Sequence, residues 1–381
     1  MGDTLPLPSQ KPTSIEELRR RIDEIDAQVI GLLNQRGAVV VEIGDLKRKN
    51  SARIYAPLRE IEVLRHACEQ NKGPLPDAAV RAIFREVMSA CIALEHPLKV
   101  AYLGPQGTFS HLAAQADTYT HLAAQAKFGR SVEYIPCRDI LGIFRAVASG
   151  AANLGVVPVE NSIDGGVTDT LDAFMGCPLP ICSEMLMEVH HCLLAPTPDT
   201  VVEKVYSKPQ VFAQCGHWLS EHYPDAELIP VSSTARACEV AAQETGAAAI
   251  AHVAAAATYG LAVVHKNIED SAHNVTRFVV VGQESCPPSG RDKTSLVLSV
   301  AHRAGALVEA LEPFRTHAVS LTRIESRPSK RDPWEYYFFV DFEGHQEDPR
   351  VRDMIEQVKK ACNYLKVLGS YPLAETTVSI E

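Results

Sequence analysis

Residues 14–50 read SIEELRRRIDEIDAQVIGLLNQRGAVVVEIGDLKRKN, and the apolar spacing in this stretch decides the first part of the fold. Ser14-x-x-Glu17 is a capping box. One heptad row holds Ile15, Ile22, Val29, Arg36 and Ile43, and a second holds Leu18, Ile25, Leu32, Val39 and Leu46. Two such rows predict one long amphipathic helix. Arg36 occupies an apolar row, so the pattern aims a cation into a buried seam, where an unpaired charge is costly. Its partner is then an anionic ligand or a core carboxylate such as Asp26 or Glu60. Arg19 and Lys47 flank the same seam. Arg19 and Arg36 stand 36 − 19 = 17 positions apart, about 25 Å along a helix. If both serve one small ligand, Arg19 comes from a second, antiparallel copy. The spacing therefore predicts a homodimer or a higher homo-oligomer.

Outward from this helix, two more are expected, about Ala56–Gln70 and Asp77–Glu95, closed by Lys72-Gly73-Pro74 and His96-Pro97. After Pro97 the pattern changes. Short apolar strands alternate with helices, beginning at KVAYLGPQG (99–107) and continuing near Val132–Ile135, Leu154–Val157, Met185–Leu194, Glu227–Val231, Ala248–Ala251, Leu261–Val264 and Phe278–Val281. That alternation predicts an α/β layer fold. Ser285–Asp292 reads as a linker. A βαββαβ order follows it, the pattern of a split-βαβ domain. The expected division is an all-α domain over 1–97, an α/β domain over 98–284 and an α+β domain over 293–381.

The chain has 381 residues, 37 Lys/Arg and 47 Asp/Glu, a net charge of −10. Residues 1–97 carry 14 basic and 14 acidic residues, so the acidic excess lies beyond them. A nucleic-acid binder is expected to show a basic domain, and this chain has none. The N-terminal MGDTLPLPSQKP lacks the apolar core of a signal peptide. The run 246–264 is mostly Ala, too weak to span a membrane. The ten Cys form no C-x-x-C pair, which fits reduced thiols in a cytoplasmic enzyme. No metal or cofactor is expected, and His190-His191 reads as structural. HLAAQADTYT (111–120) is followed by HLAAQA (121–126), a tandem duplication. Ten residues rotate a helix to about 80° short of register, so the two copies cannot share one core face. A local outward bulge is expected.

Residues 14–96 resemble the all-helical chorismate mutases through LRRRIDEID, LLNQR, VVVEIGDLK, YAPLRE and IFREVMSACIALE. That rearrangement uses no nucleophile and no proton transfer. Catalysis must hold a compact conformer and stabilise charge on the breaking ether oxygen. The resemblance implies that Arg36 and a partner's Arg19 clamp two carboxylates, with Lys47 and Glu95 facing the ether oxygen. Arg59 supports the site and Glu60 takes the ring hydroxyl. Glu95 can donate to an ether oxygen only as the protonated acid. Some relatives carry a second acid where Ala56 stands, which thins the hydroxyl contact here.

Residues 99–283 resemble prephenate dehydratases through GPQGTFS (104–110), VVPVENSIDGGV (156–167), VYSKPQVFAQC (205–215), SSTARA (232–237) and NVTRFVVVG (274–282). The resemblance implies a two-lobed, periplasmic-binding-protein-like α/β domain. Prephenate loses CO2 and hydroxide together to become aromatic, so the site needs a donor at the departing hydroxyl and seats for two carboxylates. Thr276 is the main catalytic candidate. Ser110, Glu160, Asn161, Ser162, Ser207, Gln214, Thr234 and Arg277 are candidates for lining the cleft. Plain helix capping accounts equally for Ser207 and Thr234.

The last segment resembles an ACT regulatory module, a ferredoxin-like βαββαβ unit. Gly305-Ala306-Leu307-Val308 and Glu325-Ser326-Arg327-Pro328 match the motifs that form a phenylalanine site at a subunit interface. The three resemblances follow the order of the bifunctional chorismate mutase–prephenate dehydratases of proteobacterial type. The implied function converts chorismate to prephenate and then to phenylpyruvate, under inhibition by L-phenylalanine. A non-catalytic amino-acid sensor, or an arogenate dehydratase in the second domain, is the alternative.

Overall fold

The computed structural model describes residues 14–49, 55–95, 97–104, 118–329, 335–374 and 377–378. The first segment forms α1 (Ile15–Lys49), α2 (Pro57–Gln70) and α3 (Asp77–Glu95). Ser14 Oγ accepts from the Glu17 amide at 3.1 Å, the first half of the anticipated capping box. Pro57 opens α2 at a position whose N–H would have no helical partner.

The seam is where structure and expectation part. Within one chain both heptad rows of α1 lie exposed; Ile15 is 68%, Leu32 63% and Leu46 58% accessible. The face that meets α3 instead carries Gly37 and Gly44, one heptad apart. A Cβ on Gly44 would lie 2.8 Å from Glu95 Cγ, so glycine is what permits this approach. The physical reason is length. At 35 residues α1 spans about 52 Å, and α3 at 19 residues about 28 Å. No described element of the same chain covers the apolar rows.

The described residues of 97–283 form two lobes around two sheets. The larger sheet includes Lys99–Leu103, Glu133–Cys137, Leu154–Asn161, Ile181–Glu188 and Val275–Gly282. The smaller holds Cys192–Ala195, Lys204–Ser207, Glu227–Pro230, Ala247–Ala251 and Ala262–His265. The apolar run Met185–Leu194 is therefore two strands. The chain crosses between lobes at 189–191 and returns between His265 and Val275. The crossings bond to each other: Ile268 N donates to His191 O at 2.9 Å, and Val189 N to Asn274 O at 2.8 Å. They form the floor between the lobes. The second duplicated copy lies in the helix Tyr119–Phe128, capped by Thr118, with Leu122, Ala123 and Ala124 buried. Residues 111–117 of the first copy lie outside the described residues.

The C-terminal unit is a four-stranded antiparallel sheet in the order Leu321–Pro328, Tyr336–Glu343, Asp292–Ser299, Tyr364–Pro372. Helices Ala306–Thr316 and Pro349–Ala361 cover one face. The other face packs on the two-lobed domain, where Val297, Phe339, Leu368 and Tyr371 share a core with Phe174 and Ile181. A Cβ on Gly369 would lie 2.3 Å from the Ile181 carbonyl oxygen, so only glycine allows this approach. The short strand Thr377–Val378 returns to pair with Ile181–Glu188.

Candidate active sites

The helical site gathers side chains across the α1–α3 contact. Lys47 Nζ lies 2.7 Å from Glu95 Oε1, and Arg48 donates to the Glu95 carbonyl at 2.9 Å. Arg36 is half-buried, and its Nη1 donates to Cys91 Sγ at 2.6 Å, where a carboxylate such as Asp26 or Glu60 was the expected core partner. Cys91 was not anticipated; its position four residues before Glu95, one helical turn away on the same face, is the signal that could have found it. Glu60 accepts from the Tyr55 hydroxyl at 3.2 Å and faces Lys127 of the two-lobed domain at 3.6 Å. Arg59 turns outward to Glu62 at 3.0 Å. Arg19 is exposed on the far half of α1. Within one chain the structure therefore joins Lys47 with Glu95 and leaves Arg19 apart from them.

The second site lies at the floor between the lobes. Thr276 and Asn161 are register partners on neighbouring strands. Asn161 Oδ1 accepts from the amides of Ile163 at 2.9 Å and Asp164 at 3.1 Å, which fixes the orientation of its side-chain amide. Its Nδ2 therefore points the other way, donating to Asn274 Oδ1 at 2.8 Å and to Thr276 Oγ1 at 2.9 Å. Thr276 oxygen is an acceptor in this arrangement. Among the described residues its hydroxyl hydrogen is committed to none, which leaves it free to be donated into the cleft.

The network continues into the smaller lobe. Asn274 Nδ2 donates to Gln214 Oε1 at 3.2 Å, and Gln214 Nε2 to Asp164 Oδ2 at 2.8 Å. His191 Nε2 also meets Gln214 Oε1, at 2.7 Å. Burial lowers the pKa of His191, chiefly by penalising the charged ring, so the neutral form prevails. With Nε2 as donor, Nδ1 is left as an acceptor facing the Tyr119 hydroxyl at 3.0 Å, whose single hydrogen is shared with the His190 carbonyl, also 3.0 Å away. His191, read from sequence as structural, thus supports a cleft residue. Ser162 Oγ donates to the His273 carbonyl at 2.7 Å and accepts from the Val275 amide at 2.9 Å, tying the two strands together beside Thr276.

Other sequence candidates sit elsewhere. Arg277 follows Thr276 on an extended strand and so points to the opposite face. There it is buried at 7% accessibility, with Nε 2.8 Å from Glu184 Oε2, Nη2 2.7 Å from the Tyr371 hydroxyl, and Nη1 on Asp341. Glu160 shares that face, 3.5 Å from Arg277 and 3.4 Å from Arg323. Neither lines the cleft as expected; both belong to the contact with the C-terminal sheet. Ser207 is fully buried and donates to the Ile250 carbonyl at 2.8 Å. The cap of helix Thr234–Ala241 is Ser233, which accepts from the Arg236 amide, so Thr234 is its first helical residue. Ser110 lies outside the described residues.

In the C-terminal unit an open cavity of about 580 Å³ is lined by Gly305, Ala306, Leu307 and Val308 together with Arg303, Tyr336 and Phe338. Gly305 adopts a left-handed conformation at φ 83°, at the start of its helix. Glu325, Ser326, Arg327 and Pro328 are not part of that lining. Glu325 and Arg327 face the two-lobed domain instead, and Ser326 and Pro328 are exposed.

Comparison with known proteins gives the same three-part order. Residues 18–96 match the type II chorismate mutase family, 100–286 the prephenate dehydratase family and 294–360 the ACT domain family. The bifunctional chorismate mutase/prephenate dehydratase of Pseudomonas aeruginosa is 43% identical, covering 94% of this chain and 98% of its own length. That of Aquifex aeolicus is 44% identical over the same shares. The solved prephenate dehydratase of Arthrobacter aurescens, in complex with L-Phe, has 33% identity and a TM-score of 0.64, covering 73% of this chain and 91% of its own. With both catalytic families and the regulatory one matched in order, and relatives aligned over nearly their full length, this chain belongs to the family of bifunctional chorismate mutase/prephenate dehydratases.

Proposed function

We propose that this chain rearranges chorismate to prephenate and converts prephenate to phenylpyruvate, with L-phenylalanine as feedback inhibitor. The observation that carries the second activity is the polarity of the Asn161–Thr276 hydrogen bond at 2.9 Å. Loss of CO2 drives its bonding pair into the ring, and the ring hydroxyl leaves with its own pair. That leaving group needs a hydrogen-bond donor. Thr276 accepts from Asn161 Nδ2, and its own hydrogen is therefore left to be donated. Gln214, Asn274, Asn161 and Ser162 are the polar lining on our reading, with Ser110, Ser207 and Thr234 as further candidates. The neutral His191 holds Gln214 from behind.

For the first activity the Lys47–Glu95 pair and Arg36 form one half of the site. The exposed apolar rows of α1 support a second copy as the source of Arg19. Burying about half of some ten apolar side chains would contribute on the order of 10 kcal/mol to such an association. The effector reading rests on the cavity at Gly305–Val308, with Ser326 and Pro328, the exposed residues of Glu325–Pro328, contributed at an interface between copies. The domain division at 1–97, 98–284 and 293–381 assigns one role to each part. Among the described residues no helix is long and apolar enough to cross a membrane, and a cytoplasmic location suits these substrates. No nucleic acid, metal or cofactor enters the scheme.

The test is a coupled assay on the purified chain, following chorismate loss, prephenate and phenylpyruvate separately, with and without L-phenylalanine. Binding of L-phenylalanine with neither turnover would favour the amino-acid sensor. Turnover of arogenate in preference to prephenate would move the second substrate by one amine.

A further inference from the structure

The buried polar layer between the C-terminal sheet and the two-lobed domain has no part in the chemistry above. It contains Arg277, Arg323 and Lys293 against Glu160, Glu184, Asp341 and Glu325. Lys293 Nζ meets Glu184 at 2.9 Å, and the Arg323 guanidinium pairs with Glu325 and approaches Asp341 at 4.0 Å. Arg277, Glu184, Asp341 and Arg323 side chains are all at least nine-tenths buried. Burying this many charges is expensive, and well-packed apolar side chains would hold two domains together at lower cost. Stability alone is therefore a poor account of the layer.

Its geometry suggests another. Arg323, Glu325 and Arg327 alternate along the strand Leu321–Pro328 and so share one face. Together they grip residues 160–172 of the two-lobed domain. Arg323 reaches Glu160 at 3.4 Å. The Glu325 carboxylate lies so close to Gly166 that a Cβ there would overlap it. Arg327 donates to Thr168 Oγ1 at 2.7 Å and pairs with Asp172 at 3.1 Å. Glu160 and Arg277 are register partners, and the next pair along the same two strands is Asn161 with Thr276. One layer of ion pairs therefore links the candidate effector strand to the backbone that sets the Asn161–Thr276 hydrogen bond.

We propose that Arg323 and Arg277, joined through Glu160 and Asp341, are positioning residues that transmit the state of the strand Leu321–Pro328 to Asn161 and Thr276. This rests on the dehydratase and effector reading above. A shift of the strand pulls Glu160 through Arg323. Because Glu160 and Asn161 are adjacent on one strand, the acceptor–donor geometry at Thr276 changes with it.

The experiment uses the full-length chain carrying Arg323→Gln, Arg323→Lys or Asp341→Asn. Dehydratase kcat and KM, inhibition by L-phenylalanine, and L-phenylalanine binding by calorimetry are measured on each. Arg323→Gln should keep basal turnover and L-phenylalanine affinity within about threefold of the unsubstituted chain. Its half-inhibitory concentration should rise at least about fivefold, the lower end of ordinary allosteric coupling. Arg323→Lys should restore part of the inhibition. Inhibition unchanged in Arg323→Gln, or lost only in step with L-phenylalanine binding, overturns the proposal. If Arg323→Gln lacks basal activity, Asp341→Asn decides by the same two measurements. If the unsubstituted chain turns over prephenate and L-phenylalanine does not inhibit it, the effector reading fails and takes the relay with it.

Discussion

Replacing Asn161 by Asp reverses one hydrogen bond and leaves its surroundings nearly intact. The Oδ1 that accepts from the amides of Ile163 and Asp164 is retained, so the turn after the strand keeps its anchor. The Nδ2 that donates to Thr276 and Asn274 becomes a carboxylate oxygen. Thr276 must then donate to that oxygen, and its hydrogen is no longer available to a departing hydroxyl. Asn274 Oδ1 would face the same oxygen at 2.8 Å. Turning the Asn274 amide over would relieve that contact but break its donation to Gln214. Loss of one positioned donor at a developing negative charge costs roughly 10²–10³-fold in turnover, about 3–4 kcal/mol. We therefore expect Asn161→Asp to lower dehydratase kcat by at least two orders of magnitude. Thr276→Val, which removes the donor outright, should fall as far, and Thr276→Ser should keep most of the activity. Phenylpyruvate formation from prephenate is the readout, with mutase turnover in the same preparation as the folding control. Dehydratase kcat within about threefold of the unsubstituted chain in Asn161→Asp would refute the donor role of Thr276.

Mixing inactive Arg19→Ala and Arg36→Ala chains should restore part of the mutase activity through hybrid sites, because about 25 Å separates the two residues on one helix; no recovery after efficient subunit exchange would refute a site shared between copies. Glu95→Ala should cost the mutase on the order of a hundredfold, whereas Glu95→Gln, which still offers a donor, should stay within about tenfold of the unsubstituted chain; equal losses would reduce Glu95 to a charge partner of Lys47. Ending the chain near Gly290 removes Asp341, Tyr371 and the strand Thr377–Val378 together, so dehydratase turnover should fall along with inhibition; full turnover in that truncation would show that the interface does not support the site. Burial pushes the Asp341 carboxyl up, but Arg277, Ser295 and Arg323 outweigh it and hold the pKa below the ordinary carboxylate value. That stabilisation is complete above the unfolded value of about 3.9 and is lost as pH falls through the lowered folded one. Melting temperatures below about pH 4 should drop less steeply in Asp341→Asn, and parallel curves would deny Asp341 this role.

The long first helix was legible because its period persists over five heptads. Its burial was not, because the rows that look like a core seam have no partner among the described residues of the same chain. A sequence reports that a face is apolar, and whether the cover is intramolecular depends on the relative lengths of the neighbours. The contact actually made with α3 runs through Gly37 and Gly44, residues whose significance lies in the side chain they lack. The break at 189–191 was hidden for a related reason. Both flanking strands are largely buried, and Glu188, His190 and His191 mark a break between the apolar runs without indicating that the chain changes sheets there.

Arg277 was misplaced for a different reason, and the signal that would have placed it was present. Thr276 and Arg277, neighbours in NVTRFVVVG, were both expected in the cleft. On a strand, neighbours face opposite ways, so a threonine in the cleft places the arginine behind it. The same rule separates Glu160 from Asn161 on the adjacent strand. Applied forward, it selects Asn274, two residues before Thr276, as the next side chain on the cleft face, and Asn274 does connect Asn161 to Gln214. A motif matched as a string does not distinguish these roles. The alternation does: Asn274 and Thr276 join the Asn161–Gln214 network on one face of the strand, and Arg277 on the other meets the C-terminal sheet.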